Sequence, residues 1–253
     1  MATLEKKESL LVKIAETKHE LEQTFRLRYQ VFVEEANNRH LQNEKGIEQD
    51  VYDDDCDHLI VLDQETNQVI GTYRLLPGER AVIGKGFYSE TEFDLSHFSV
   101  NKTLCLEVGR SCVAPEHRNG RVIQLLWAGI ADYIKRSGHQ YLIGCVSMEG
   151  KCKENINEIY SILKDENMIT DDFQVRPQNT HRMEQLHYLQ IDHKLKKQWQ
   201  KKLPPLIKGY QWLGAKLAGQ PAFDPVFQTI DFFVVLETAK ITKRYQRRFL
   251  STN

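Results

Sequence analysis

Leu106-Glu-Val-Gly-Arg-Ser-Cys-Val-Ala-Pro-Glu-His-Arg-Asn-Gly-Arg-Val-Ile-Gln-Leu-Leu-Trp127 decides how this chain folds. Its apolar start predicts a strand, Pro115 marks a turn, and the basic, glycine-containing loop Arg118–Val122 opens a helix. A helix N-terminus gathers backbone N–H groups without partners and the positive end of the peptide dipoles, so it suits a phosphate-bearing ligand. One acid, Glu107, and two arginines, Arg110 and Arg118, fall in the same stretch. The combination points to an enzyme that handles an anionic, phosphate-containing donor.

Outward from this stretch, strands and helices alternate. Helical spacing of Leu21, Phe25, Arg28, Tyr29 and Phe32 predicts a helix over about 18–35. The runs His58–Asp63 and Gln68–Leu76 read as strands joined by the turn Gln64–Asn67. Gln124–Lys135 reads as a helix on a sheet, and the uninterrupted apolar run Gln140–Val146 as a central strand. A helix over Asn155–Lys164, a basic and mostly helical stretch over about 181–219, and a closing strand over Gln228–Glu237 complete the pattern. The fold class is α/β (α+β), a mixed central sheet flanked by helices. No linker or repeat divides the 253 residues, so the expectation is one domain, 1–253, with its core over about 18–237 and a helical insertion over about 181–219.

The net charge of −1 conceals a polarity. Gln190–Asn253 carries 12 Lys and Arg against 4 Asp and Glu, a balance of +8, whereas the rest carries 22 against 31, a balance of −9. A basic C-terminal quarter suits an anionic membrane surface or an acidic carrier protein, and equally a solvated face. Trp199 and Trp212 among its lysines fit a membrane interface or an amphipathic helix on its own core. Five cysteines without a CxxC pair, and histidines without metal spacing, imply no metal site and a reducing, cytoplasmic setting. Membrane contact is then peripheral, on the inner face of the cell membrane, and nothing points to nucleic acid.

Polar residues recur at the edges of these elements: Arg28, Asp50, Asp53, Arg74, Glu107 and Arg110. Buried charges need partners, so the arginines in apolar strands call for these carboxylates. A bulge in the Glu107–Arg110 strand would let both charged side chains reach one cleft. Cys112 reads as a small buried hydrophobe, Tyr160 as core packing, and Ser147 as a donor-contact candidate.

The strand–loop–helix resembles the donor-binding core of the acetyltransferase-like (GNAT) fold, whose loop is usually Arg/Gln-x-x-Gly-x-Gly/Ala. Here Arg118-Asn-Gly-Arg-Val-Ile123 places Arg121 and Ile123 where the two small residues fall, which favours a single phosphodiester over a pyrophosphate. Phe25–Phe32, Glu48–Asp53, Gly71–Pro77 and Leu106–Arg110 are similar to acyl-homoserine-lactone synthases, in which these polar positions belong to the active-site cluster. Cys56–Asp63, Gly86–Leu95, Gly109–Val113, Leu203–Tyr210, Gly214-Ala-Lys and Asp231-Phe232 resemble the ornithine Nα-acyltransferases, often labelled hemolysin-like.

The resemblance implies transfer of a 3-hydroxyacyl group from acyl-carrier protein, as a co-substrate and not a tightly bound cofactor, to the α-amine of ornithine. The product would be a lyso-ornithine lipid. Glu107 is then the base, its pKa raised by burial, and the Val113 N–H the oxyanion donor. Arg118, Gly120, Arg121 and Val122 hold the donor phosphate. Arg74 or Arg110 pairs with the amino acid's carboxylate and Asp50 or Asp53 with a cationic side chain, or these residues form a structural ion network with Arg28. The alternatives are a related N-acyl amino acid or acyl-homoserine-lactone-type signal synthase, or a non-catalytic peripheral membrane protein on the same scaffold.

Overall fold

The structure, a computed structural model, describes residues 9–149, 155–191, 203 and 205–240. In chain order its main elements are β1 (Leu10–Ile14), α1 (Lys18–Tyr29), β2 (Asp57–Asp63), β3 (Gln68–Pro77), α2 (Gly78–Ile83), β4 (Phe93–Asp94), β5 (Cys105–Val113) and α3 (Arg121–Ser137). Then follow β6 (Tyr141–Glu149), α4 (Ile156–Asp165), β7 (Ile169–Thr170), β8 (Arg176–Pro177), α5 (Pro205–Leu213), β9 (Lys216–Ala218), β10 (Ala222–Asp224) and β11 (Thr229–Glu237). Contacts divide them into two compact units, each discontinuous in sequence: residues up to 75 with 109–137, and 76–108 with 138 onward. The division falls within β3 and within β5.

In the first unit β1, β2 and β3 form an antiparallel ladder. The Ala114 N–H donates to the Ile70 carbonyl at 2.9 Å, tying the end of β5 to β3. Helix α3 covers β1 and β2. Its inward residues Val122, Leu126 and Ile130 are buried, and Trp127 meets Tyr73 edge-on at 6.0 Å. Helix α1 begins on a capping box: the Thr17 hydroxyl accepts the Glu20 N–H at 3.2 Å, and the Glu20 carboxylate accepts the Thr17 N–H at 3.1 Å. From Gln30 to Glu35 the helix widens to a π-helix, so the predicted 18–35 helix is present with a change of pitch.

In the second unit the first three residues of β5 pair in parallel with β6. β6 runs antiparallel to β11 along its whole length, and β9, β7 and β10 extend that sheet. The short strands β4 and β8 pair separately. Phe93 and Phe98 pack on Phe233 of β11 at 5.7 Å each. Ile156, Ile159, Ile162 and Leu163 of α4 are buried, as is Tyr160, in keeping with its helical spacing.

Strand β1 was not expected. The segment expected to be helical over 181–219 is helical, among its described residues, only at Asn179–His181 as a single 3-10 turn and at α5. Residues 182–191 are irregular because α4 holds their backbone directly. The Asn157 Oδ1 accepts the His187 N–H at 2.9 Å and the Ser161 hydroxyl accepts the Leu189 N–H at 2.7 Å. Residues 216–218 join the sheet as β9. Trp212 is half exposed on α5; Trp199, Cys152 and most of the basic C-terminal charge lie outside the described residues. Among the described residues no helix is long and apolar enough to cross a membrane.

Gly144 on β6 marks a close approach: a β-carbon there would stand 2.2 Å from the Val108 carbonyl oxygen. Gly144→Ala is therefore expected to lower the free energy of unfolding by about 3 kcal/mol, the upper range for overpacking, as measured by urea denaturation.

Candidate active site

The six charged residues of the first unit's interior meet as one network. Arg28 is fully buried on α1 and uses both sides of its guanidinium: Nε donates to Glu48 at 2.5 Å, while Nη1 and Nη2 donate to the two Asp53 oxygens at 2.7 and 3.2 Å. Arg74 on β3 donates to Asp50 at 2.7 Å and to Asp53 at 3.2 Å. Arg110 on β5 donates to Glu48 at 3.1 Å and to Asp50 at 2.9 Å. Three arginines thus face three carboxylates, and each carboxylate bridges two of the arginines.

Burial alone would push the Asp53 carboxyl up, but Arg28, Arg74 and the Asp50 N–H hold it down at about 2. Burial likewise lowers His58, whose Nε2 lies 3.3 Å from the Asp53 carbonyl oxygen. Arg110 departs from the extended strand at φ 50°, the expected irregularity in β5. The network brings together all of Arg28, Asp50, Asp53, Arg74 and Arg110 and adds Glu48. A substrate group binding to any of these acids or arginines has to displace an existing partner.

At the start of α3, the Arg118 guanidinium forks onto Glu35 at 2.5 and 2.6 Å, and its Nε donates to the Val113 carbonyl at 3.0 Å. Asn119, which the sequence did not single out, accepts the Arg121 N–H at 3.0 Å and shapes the turn. Gly120 has φ 91° with open space around it, Arg121 is exposed, and Val122 is buried. Arg118 is thus engaged by Glu35 and Val113, and the Arg121 N–H by Asn119.

Glu107 lies in the second unit, where the β5–β6 ladder ends. It is 5% exposed. It accepts the Tyr88 N–H at 2.8 Å, the Ser89 N–H at 2.9 Å and the Ser89 hydroxyl. These donors fix the orientation of its carboxyl group. Ser89 is the partner that sequence reasoning missed, its only signal being the polar turn Tyr88–Thr91. Cys112 is pushed up to about 12 by burial and so is unfit as a nucleophile.

The fold and residues agree with known proteins. Residues 27–128 match the acetyltransferase (GNAT) domain model. A solved CoA-dependent acyl-homoserine lactone synthase, BjaI, superposes with a TM-score of 0.59 at 16% identity, over 97% of this chain and 92% of that one. The acyl-homoserine lactone synthase LasI gives 0.53 at 13% identity, over 91% of each chain. The protein is thus a GNAT-fold acyltransferase. L-ornithine Nα-acyltransferases from Brucella abortus and Agrobacterium fabrum are each 34% identical over 94% of this chain, covering 87% and 84% of their own lengths. The chain belongs to the L-ornithine Nα-acyltransferase family.

Asp53, held below the ordinary 3.8, contributes stability that is complete above about pH 4 and is lost as pH falls toward about 2. Asp53→Asn should cost about 3 kcal/mol at neutral pH, because Arg28 and Arg74 lose a buried partner. It should also flatten the loss of stability between pH 4 and 2, read from denaturant midpoints across that range.

Proposed function

We propose that this enzyme transfers a 3-hydroxyacyl group from the phosphopantetheine thioester of acyl-carrier protein to the α-amine of ornithine, forming a lyso-ornithine lipid. The observation that carries the reading is Glu107, a buried carboxylate aimed by three donors, in a chain of this family. An ammonium cannot attack a thioester until it loses a proton, so the site needs a base of this kind.

The ammonium gives a proton to Glu107, directly or through a water. The freed nitrogen lone pair forms the C–N bond at the thioester carbonyl carbon, whose π electrons move to oxygen. Backbone N–H donors stabilise that oxyanion. Collapse restores the carbonyl and breaks the C–S bond, and the sulfur takes a second proton from nitrogen. The products are the amide, the carrier thiol and the proton that Glu107 returns to solvent. No resident metal or cofactor enters the scheme.

The donor phosphate sits at the start of α3, on the backbone of Gly120 and Val122 with the Arg121 side chain, while Asn119 holds the Arg121 N–H and Arg118 braces the turn through Glu35 and Val113. Arg121 and Ile123, large where small residues are usual, support a carrier protein as donor over coenzyme A, and Arg121 suits its acidic surface. The Arg28, Asp50, Asp53, Arg74 and Arg110 network acts as scaffold, since its charges are already balanced within the first unit. Peripheral contact with an anionic membrane, suited to the amphipathic product, is supported by the basic C-terminal quarter.

The test is mass spectrometry of lipid extracts from cells that express the chain, for N-(3-hydroxyacyl)ornithine. Glu107→Gln should reduce product formation at least about 100-fold while the far-UV circular dichroism of the folded protein is kept, with a lower melting temperature because the amide –NH2 cannot accept the Tyr88 or Ser89 N–H. Unchanged turnover in that variant would remove Glu107 as base.

A further inference from the structure

In the first unit's network Glu48, Asp50 and Asp53 each bridge two arginines; the second unit holds a buried acid pair of another kind. Glu92, just after the Tyr88–Thr91 turn, is 1% exposed, and Asp231 on β11 is 3% exposed. One oxygen of each, together with Cys145 Sγ, lies within 4.8 Å of the others. The strongest influences on Asp231 are burial, Glu92, the hydroxyls of Ser147 and Thr229, and Asp224; none is a cation, and its carboxyl is raised. Asp231 Oδ1 is inaccessible and accepts no hydrogen bond. A buried carboxylate oxygen left in that state costs stability and needs a reason to be retained.

The neighbouring strand residues put further polar groups beside the pair. Cys145 and Ser147 alternate onto one face of β6, and Ser147, opposite Asp231 in the β6–β11 register, is exposed. Ser89 bridges in the other direction, bonding Glu107 and Cys145. One continuous set of polar groups in this unit therefore runs from the proposed base to the acid pair.

We propose that Glu92 and Asp231, with Ser147 at the entrance, form a cation subsite for the side-chain ammonium of the acceptor amino acid, while Glu107 acts on its α-amine. This rests on the acylation reading above and gives it a basis for choosing a short basic amino acid. A primary ammonium carries three N–H donors, matching the two carboxylates and the serine hydroxyl. A divalent metal fits less well: burial and the neighbouring acids raise the Cys145 thiol well above its ordinary value, and a metal takes the thiolate. Asp50 and Asp53 are already occupied by arginines.

The experiment compares ornithine with norvaline, which has the same carbon chain without the ammonium, on the full-length protein and on Asp231→Asn and Glu92→Gln. Ornithine, and not norvaline, should raise the wild-type melting temperature, and both variants should lose that shift. With a 3-hydroxyacyl carrier-protein donor, the ornithine-to-norvaline ratio of kcat/KM should fall on the order of 100-fold in each variant. The free Asp231→Asn protein should melt at or above the wild-type temperature, because a buried carboxyl beside another acid is gone. Undiminished preference for ornithine in both variants overturns the subsite and leaves the acylation reading standing. A wild type that acylates no amino acid overturns both. A melting shift with Zn²⁺ or Mn²⁺ and none with ornithine assigns the acids to a metal and overturns the proposal.

Discussion

Burying Arg28 is the constraint on which the first unit depends. A guanidinium with no exposed surface on α1 is tolerable only if carboxylates come to it, and the carboxylates available lie on a segment with little regular structure of its own. Glu48, Asp50 and Asp53 are drawn in from one short stretch of that segment, and its backbone follows: the Glu48 N–H donates to the Phe25 carbonyl at 3.0 Å and the Asp50 N–H to Asp53 at 2.7 Å. Those acids would be overcharged with one arginine, so Arg74 and Arg110 complete the balance. The network thereby fastens α1, β3 and β5 to one loop. It also gives Arg110 a reason to hold a left-handed backbone, since two acid contacts offset a strained φ.

Buried acids elsewhere are handled by different means. Glu107 is solvated by two backbone N–H groups and a serine hydroxyl. Such dipoles orient the carboxyl group without placing a fixed cation beside it in those contacts. Asp231 is a third case, surrounded by hydroxyls and another acid. Full pairing, dipolar solvation and incomplete pairing fit three tasks, respectively holding a scaffold, moving a proton and accepting a charged guest. The last two are the roles proposed above.

Most of the fold was legible because it is written in periodicity. The runs at 58–63, 68–76 and 140–146 have too few polar residues to be anything but buried strands, and each was found within a few residues. What escaped depended on tertiary partners. Leu10–Ile14 is too short to announce itself and becomes a strand by pairing with β2. Residues 182–191 carry an ordinary helical composition, but Asn157 and Ser161 of α4 take their N–H groups. The polar cluster was legible as a set, since arginines in apolar strands require acids, yet Glu48 was not separable from its neighbours by spacing. Glu92 and Asp231 fell within segments of the family resemblance but gave no sign of burial, because an acid next to apolar residues looks the same whether it turns outward or inward.

The loop before α3 shows how a departure from a motif is absorbed. Its residues alternate in fate: Arg121 is exposed, Val122 is buried, and Ile123 is half-buried. Val122 fits only because the strand opposite offers Gly71, where a β-carbon would stand 2.4 Å from Val122 Cγ1. The small residue that lets helix and strand approach is therefore in β3, and bulk in the loop is carried outward. Helix α3 keeps its seat on the sheet through Val122 and Leu126, so its N-terminal N–H groups keep their direction whatever stands at 121 and 123. Enlarging those two positions alters what can lie against the loop's outer side without moving the anion-binding end of the helix. In the proposed enzyme this separates the choice of donor, set by exposed side chains, from the grip on phosphate, set by backbone.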